Sequence, residues 1–221
     1  MLRDTAPACA LDCLKKVLGG LTELEILEML LYAGAPRGNT NPLANRLIKT
    51  FKSLSGVLHA SPDELRPIRD MGDAAIAAVK IAKAAGLQIS HSRVKGKPVL
   101  THLVEVQDYC ISKLGHEPIE YVMVLCLDRQ NRLVAEDTVS RGTVNQTSAY
   151  PQKIVNFALR HLAHAVIIVH NHLGVETKPS RADIEVTKDL KKALAVMGIA
   201  LHDHLIVAGT SCVSFKSLGH L

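Results

Sequence analysis

The spacing of hydrophobic residues divides the chain into a helical first part and a second part in which strands and helices alternate. Apolar residues recur at helical intervals after Thr22-Glu-Leu-Glu25, which has the pattern of a capping box. Asn41-Pro42 predicts a second helix, with Asn41 as its cap and the proline in its first turn. Ser61-Pro62-Asp-Glu64 repeats the capping pattern. Before these helices, residues 1–20 predict only a loosely docked lead-in.

The second part of the chain predicts an α/β fold. Its elements are predicted at about Leu103–Leu114 (helix), Glu120–Leu127 and Arg132–Val139 (strands), Tyr150–Leu162 (helix), Ala165–Val169 (strand), Ser180–Met197 (helix), and Ile199–Val207 and Cys212–Phe215 (strands). Strands interleaved with helices predict an α/β sandwich with a mixed sheet. Residues 91–98 are polar and basic and predict a linker. We therefore expect a small all-helical domain over residues 1–90 and an α/β domain over residues 99–221.

Charge is unevenly distributed between these two parts. The net charge is +5, and Lys and Arg outnumber Asp and Glu by 14 to 9 in residues 1–97 but equal them, 12 to 12, in the remainder. A basic first half is compatible with contact to a phosphate backbone, although a solvated linker is the more frequent explanation for a run as short as 91–97. Aromatic residues make up only 3% of the chain, which disfavours recognition of single-stranded nucleic acid by base stacking.

The cysteines and the hydrophobic runs bear on the compartment. The five cysteines have no Cys-x-x-Cys spacing, and their odd number favours reduced thiols over a disulfide framework. The N-terminal residues do not resemble a signal peptide, and no apolar run approaches the roughly 18 residues of a membrane-spanning helix. We therefore expect a cytoplasmic protein with no membrane contact. The sequence does not indicate an oligomeric state.

The candidate chemistry lies where the central strand ends, at His170-Asn171-His172. Because side chains alternate in direction along a strand, both imidazoles should project from one face, and Asn171 should serve as a backbone partner on the other. After a turn, Ser180 occupies the N-cap position of a helix, and Asp183 lies in its first turn, where the helix dipole favours an ionised carboxylate. Two imidazoles and one carboxylate held on two rigid elements, His170, His172 and Asp183, are typical of a catalytic zinc site, which keeps one coordination position open.

Simpler explanations exist for each of these residues. Histidines at strand ends are often solvated, and Ser180-x-x-Asp183 also has the spacing of a capping box. His202-Asp203-His204 is a second His-x-His pair, but no acidic residue follows it that could complete a site. We interpret His202 as a strand residue and Asp203 as a candidate to orient a ligand imidazole. The combined pattern favours the metal site, and its nitrogen ligands predict one Zn²⁺ per chain over magnesium, which prefers oxygen.

The order His170-x-His172, seven residues, Ser180, two residues and Asp183 resembles the signature of the JAMM/MPN+ metalloproteases. Within that superfamily the chain is similar to the RadC group of bacterial proteins, through Glu120–Asp128, Arg141-Gly-Thr143, Tyr150-Pro151 and Leu201-His-Asp-His204. The resemblance covers nearly the whole chain. It implies a cytidine-deaminase-like/JAMM sandwich behind a helix-hairpin-helix-like domain, and an enzyme that hydrolyses an amide or isopeptide bond in a protein or peptide substrate. Members of the RadC group have commonly been labelled as DNA repair proteins.

The resemblance also implies two catalytic residues. Glu120, just before the apolar run of its strand, would accept the proton of the attacking water and return it to the leaving amine. Ser180 would donate a hydrogen bond to the oxyanion that forms when the carbonyl is attacked.

The chain departs from the family pattern at two positions. Leu173-Gly174-Val175 stands where the group usually has Pro-Ser-Gly, and Asp70 stands at the first glycine position of the hairpin segment Leu65–Lys80. A carboxylate would repel a DNA phosphate, so packing is favoured over DNA binding for this hairpin, while Arg69, Lys80 and Lys83 keep DNA as a candidate partner. Two other functions therefore stay open: a non-catalytic, DNA-associated scaffold with a degenerate metal site, and a metal-dependent nuclease.

Overall fold

The computed structural model describes residues 20–34, 39–142 and 149–221. The predicted lead-in before residue 20, with Cys9 and Cys13, lies outside the described residues, as does Thr143. The chain forms two compact units, Met1–Gly86 and Leu87–Leu221.

The described residues of the first unit form helices and no strands, as the sequence predicted. Its helices are α1 (Glu23–Gly34), α2 (Asn41–Phe51), α3 (Leu54–His59) and α4 (Pro62–Leu65), and it also contains the first part of α5 (Asp73–Val94). They pack around a core in which Leu27, Leu31, Leu47, Val57, Leu65 and Val79 are almost fully buried.

Two helix starts have the predicted capping box, at Thr22 with Glu25 before α1 and at Ser61 with Glu64, and a third has a different cap. At α4, Ser61 and Glu64 form the expected capping box, in which the Ser61 side chain accepts from the Glu64 backbone N–H and the Glu64 side chain accepts from that of Ser61. At α2, the cap position is Thr40, one residue before the predicted Asn41, and its side chain makes no capping bond. The Asn39 side chain accepts from the Asn41 N–H instead, at 3.0 Å.

The turn between α4 and α5 contains Asp70 at the place of the expected glycine. Its φ is +71°, a left-handed conformation that glycine adopts without strain. Its carboxylate pairs with Arg46 at 2.6 Å. Lys80, which the sequence offered as a DNA contact, donates to the backbone carbonyls of Leu58 and Ala60. Arg69 keeps 86% of its side-chain surface exposed.

Helix α5 runs through the boundary between the two units and ends at Val94. Residues 91–94 of the predicted linker are thus its last turn. After it, Lys95 and Pro98 form isolated bridges with Leu133 and Arg132.

The second unit is built on a five-stranded mixed sheet, which confirms the predicted fold class. Its elements are a 3₁₀ turn (Val99–Thr101), α6 (Leu103–Leu114), β1 (Tyr121–Leu127), β2 (Leu133–Arg141), α7 (Ala149–Arg160), β3 (Ala165–Asn171), α8 (Arg181–Val196), β4 (Ala200–Ala208) and β5 (Ser211–Ser214). The strand order is β2-β1-β3-β4-β5. Strand β3 is antiparallel to β1 and parallel to β4, so it occupies the centre of the sheet.

Alternation along β3 gives the sheet two packed faces. Ala165, Ile167 and Val169 face a core shared with α6. Val166 and Ile168 face a second core shared with α7 and α8. All seven residues of β3 are buried, which explains why the strand reads as a continuous apolar run rather than an alternating one.

Two further features agree with the sequence. Cys110, Cys126 and Cys212 are free thiols within the described part of the chain. Among the described helices, none combines the length and the apolar character needed to cross a membrane.

Candidate metal centre

Strand β3 positions the two histidines. His170 lies between Val122 of β1 and Ile206 of β4, so it is anchored in the sheet on both sides. One more sheet-like hydrogen bond, from the His172 N–H to the Val207 carbonyl at 2.9 Å, extends the ordered backbone past the end of the strand. The predicted extension through Asn171 is therefore present, and both imidazoles project toward α8.

The carboxylate comes from the N-terminus of α8. Ser180 is its N-cap and forms a capping box with Asp183: the Ser180 hydroxyl accepts from the Asp183 N–H, and the Asp183 carboxylate accepts from the Ser180 N–H at 2.7 Å. Asp183 therefore completes the capping box and also lies beside the two histidines. The cap holds the carboxylate in one orientation, toward the end of β3.

Three side-chain atoms converge in a way that could hold a metal ion. The Nε2 atoms of His170 and His172 are 2.9 Å apart. The Asp183 carboxylate oxygens lie 3.5 Å from the first and 3.4 Å from the second. Zinc bonds of about 2.0–2.2 Å in a tetrahedron separate ligand atoms by about 3.3 Å, so this triangle has the size that zinc requires. Within the residues described, no other group of this kind is found.

The site is buried on one side and open on the other. His170 keeps 11% of its side-chain surface exposed, whereas His172 and Asp183 keep 21% and 20%. A ligand site with three protein groups and solvent access on one side leaves room for a water or a substrate atom, which a closed structural zinc site excludes.

Electrostatics favour the cation-binding forms of His170 and Asp183. Burial lowers the pKa of His170 to about 4, so its imidazole is neutral at physiological pH. Although burial opposes it, hydrogen bonds from His172 and Ser180 hold the pKa of Asp183 below its usual value, so the carboxylate is ionised. The hydrogen bond with Asp183 raises the pKa of His172. The His172 Nδ1 lies 3.2 Å from the Glu176 carbonyl, which can only accept, so this nitrogen carries a proton and Nε2 is left to face the site.

Glu120 lies at the start of β1, beside the histidines. Val122 pairs with His170 in the antiparallel register, so Glu120, two residues before Val122, lies at the end of the sheet where His170 and His172 stand. The charge of Glu120 contributes to raising the pKa of His172, which agrees with this placement. Asn171, predicted as a backbone partner, bonds to the peptide groups on both sides of Glu120.

The Ser180 hydroxyl is engaged within the site. It donates to Oδ2 of Asp183 at 2.7 Å. In this arrangement the hydroxyl supports the carboxylate and would have to rotate to reach a substrate oxygen.

The loop that departs from the family pattern is exposed and apolar. Leu173 and Val175 are 56% and 85% exposed, and Gly174 between them has a φ of +99°. The convergence of His170, His172 and Asp183 is present with this loop sequence.

Sequence reasoning missed two residues behind the site and misassigned a third. His204, buried in β4, has its Nε2 2.8 Å from Nδ1 of His170, and its Nδ1 is 2.6 Å from the hydroxyl of Thr187 in α8. Asp203, the predicted partner of a ligand imidazole, points to the other face, where it accepts from Ser214 and from the His204 backbone N–H. The prediction for Asp203 was therefore wrong, because alternation along β4 directs the side chain of His204, and not that of Asp203, toward the site. His202 bonds to the Asn131 side chain, remote from the three ligand candidates.

Comparison with known proteins gives a family for this arrangement. A family model described as RadC-like JAB domain matches residues 100–220, which include all of the candidate site. A UPF0758 protein of Rhodobacter capsulatus is 38% identical over 201 residues, covering 91% of this chain and 94% of that protein. A UPF0758 protein of Ruegeria pomeroyi is 35% identical over 201 residues, covering 91% and 90%. With a match over more than half of its length and relatives that align almost end to end, the chain belongs to the RadC family.

Proposed function

We propose that this protein is a zinc-dependent hydrolase that cleaves an amide or isopeptide bond in a protein or peptide substrate. The observation that carries the proposal is the convergence of two imidazole nitrogens and one carboxylate within 4.8 Å of one another, with solvent access on one side. One Zn²⁺ per chain would be held by His170, His172 and Asp183. When bound there, zinc would lower the pKa of a coordinated water toward about 7 and polarise a carbonyl group.

The protein side chains would supply the proton transfers. Glu120, whose charge acts on His172, would take the proton of the attacking water and deliver it to the leaving amine. The Ser180 hydroxyl would leave Asp183 and donate to the oxyanion of the substrate carbonyl. Both assignments come from the family pattern, and the geometry supports the first more directly than the second.

Zinc content separates the enzyme from a scaffold with a degenerate site. We expect one zinc per purified wild-type chain by elemental analysis, and a large loss in His172→Ala. His164→Ala, which changes an exposed histidine before β3, is the matched control and should keep its zinc. Wild-type protein without zinc, even after incubation with the metal, would favour the scaffold.

Activity separates a peptidase from a nuclease. The zinc-loaded protein should be incubated with isopeptide-linked and linear peptide libraries, and in parallel with labelled duplex, single-stranded and branched DNA. We expect peptide cleavage that falls by about 10²–10⁴-fold in Glu120→Gln while zinc content is kept. DNA cleavage that depends on Glu120 would overturn the peptidase assignment.

The remaining assignments concern partner and compartment. Arg69 is the most exposed of the proposed DNA contacts, so salt-dependent binding of the full chain to duplex DNA, lost in Arg69→Ala, would support DNA as a partner. The free thiols at Cys110, Cys126 and Cys212 support a reducing compartment such as the cytoplasm.

A further inference from the structure

A chain of hydrogen bonds leads from helix α8 through strand β4 to the buried side of the candidate metal centre. The Thr187 hydroxyl lies 2.5 Å from the backbone carbonyl of Asp183, one helical turn earlier. The same hydroxyl lies 2.6 Å from Nδ1 of His204. Nε2 of His204 lies 2.8 Å from Nδ1 of His170. Thr187 and His204 are only 2% and 3% exposed, so water does not compete for the bonds between them.

The direction of each bond follows from what its groups can donate. A carbonyl oxygen only accepts, so the single proton of the Thr187 hydroxyl points to Asp183. The hydroxyl must then accept from His204, which places the proton of that imidazole on Nδ1. A neutral imidazole carries one N–H, so Nε2 of His204 is an acceptor and Nδ1 of His170 is its donor. His170 is left with an unprotonated Nε2, the atom that faces His172 and Asp183.

We propose that Thr187 and His204 are positioning residues that hold His170 in the tautomer protonated at Nδ1, and so keep its Nε2 lone pair directed into the metal site. This inference rests on the proposed function for its purpose, but the tautomer itself is a property of the metal-free chain. Hydrogen bonds to the outer nitrogen of a ligand histidine fix the orientation of its ring and raise its affinity for the metal.

The arrangement explains why the two inner nitrogens can lie so close. Nδ1 of His172 donates to the Glu176 carbonyl, and Nδ1 of His170 donates to His204. With Nε2 of His170 unprotonated, the 2.9 Å contact between the two Nε2 atoms is favourable when His172 carries a proton on Nε2 or when a cation lies between them. Ring rotation is restricted as well, since His204 stacks on Phe215 with centroids 4.5 Å apart.

Thr187 offers the most selective test. Thr187→Val keeps the shape of the side chain and removes the hydroxyl, whereas Thr187→Ser keeps the hydroxyl. Without the Thr187 hydroxyl, His204 can carry its proton on Nε2. Nδ1 of His170 must then accept a hydrogen bond, so the proton of His170 lies on Nε2, its ligand nitrogen. Long-range ¹H–¹⁵N correlation spectra of metal-free protein, recorded with ¹⁵N-labelled histidine, report the tautomer directly.

We expect wild type and Thr187→Ser to show His170 protonated at Nδ1, and Thr187→Val to show a mixture. Zinc affinity, measured by competition with a chromogenic chelator, should fall by about 10–100-fold in Thr187→Val and by much less in Thr187→Ser. An unchanged tautomer together with unchanged zinc affinity in Thr187→Val would overturn the proposal.

A second pair tests His204 itself. His204→Gln keeps an acceptor near the position of Nε2, and His204→Leu removes it, so zinc affinity should be partly retained in the first and lost in the second. If both variants unfold, as circular dichroism would show, the Thr187 pair decides alone. A wild-type chain that shows the expected tautomer but binds no zinc would refute the proposed function and leave the hydrogen-bond assignment standing, so the two failures can be told apart.

Discussion

The side-chain amide of Asn171 bonds to both peptide groups that flank Glu120. Its Oδ1 accepts from the Tyr121 N–H at 2.7 Å, and its Nδ2 donates to the Ile119 carbonyl at 3.0 Å. The Glu120 carbonyl accepts in turn from the Gly142 N–H. Asn171, which lies between the two histidines, therefore fixes the backbone of Glu120, the candidate general base. These hydrogen bonds join the end of β3 to the start of β1.

Replacing Asn171 should lower the stability of the fold and displace Glu120. Asn171 is fully buried, so Asn171→Ala leaves a donor and an acceptor of the β1 backbone without partners, at an expected cost of about 2–4 kcal/mol in the free energy of unfolding. Urea unfolding measures this. Asn45→Ala, which removes an exposed amide from the surface of α2, is the control and should cost less than about 0.5 kcal/mol.

The same variant separates positioning from metal binding. In folded Asn171→Ala, zinc content should stay near that of wild type, because no ligand candidate is changed, while turnover of a peptide substrate should fall through a displaced Glu120. Equal losses of zinc and of turnover would show that Asn171 supports the metal site instead.

Local patterns were sufficient to predict the three ligand candidates. His170 and His172 share a face because of strand alternation, and the helix cap that orients Asp183 is encoded within four residues. The partners behind the site were not predicted, because Thr187 and His204 meet through the packing of α8 on β4. That contact depends on the parallel pairing of β3 with β4 and on a register shift between Val166 and Ile167, which the sequence does not show.

Gly115 is predicted to be intolerant of a side chain, whereas Gly86 is not. A Cβ at Gly115, at the end of α6, would lie 2.1 Å from the carbonyl oxygen of Gly209 in the turn after β4. Gly115→Ala must therefore move backbone and weaken the 2.8 Å bond from the Gly209 N–H to the Gly115 carbonyl, at a cost of about 1–3 kcal/mol or more. Gly86→Ala meets no atom within 4 Å and lies on the exposed side of α5, so it should stabilise by up to about 1 kcal/mol. Thermal unfolding of both variants provides the comparison, and a neutral result at Gly115 would contradict the close approach.

Two ion pairs of the second unit, Lys113 with Glu136 and Arg132 with Asp128, should contribute differently to stability. Lys113 and Glu136 are 28% and 19% exposed, and the Tyr109 hydroxyl also donates to Glu136. Lys113→Met keeps the aliphatic stem but leaves a largely buried carboxylate without its cation, so we expect a loss of about 1–3 kcal/mol. Arg132→Met breaks the more exposed pair with Asp128 and should cost less than Lys113→Met. Chemical denaturation of the two variants side by side tests this order, and equal costs would refute it.

The helical first unit shows where cap and turn patterns fall short. Ser61 and Glu64 formed the predicted capping box, because both partners lie within one helical turn. The cap of α2 moved to Thr40, since Asn41 is drawn into contact with Glu28 of α1. Asp70 adopts the left-handed conformation expected of a glycine at this position, and its carboxylate pairs with Arg46, 24 positions earlier. Such contacts with residues distant in the sequence determine the cap of α2 and the turn at Asp70, and sequence spacing alone does not reveal them.

Alkaline pH should destabilise the second unit through its thiols. Burial raises the pKa of Cys126 to about 12, and burial together with Asp203 raises that of Cys212 to about 12. An unfolded thiol loses its proton near pH 8.5–9, about three units earlier. Between these values the folded state binds more protons than the unfolded state, so the free energy of unfolding falls as pH rises from 9 toward 12 and is insensitive to these thiols below pH 8. Each thiol contributes a slope of at most about 1.4 kcal/mol per pH unit.

Urea unfolding at pH 7.5, 9.0, 10.0 and 10.5, in the presence of a reductant, measures that slope. Lysine and tyrosine titration also acts in this range, so the informative quantity is the difference between wild type and Cys126→Ala, in which one thiol is removed. We expect the variant to be less stable at pH 7.5, because a buried side chain is truncated, yet to lose less stability per pH unit above 9. Stability curves for the two proteins that stay parallel from pH 7.5 to 10.5 would show that the folded Cys126 thiol ionises as readily as the unfolded one, and that its burial in β1 does not hold the proton.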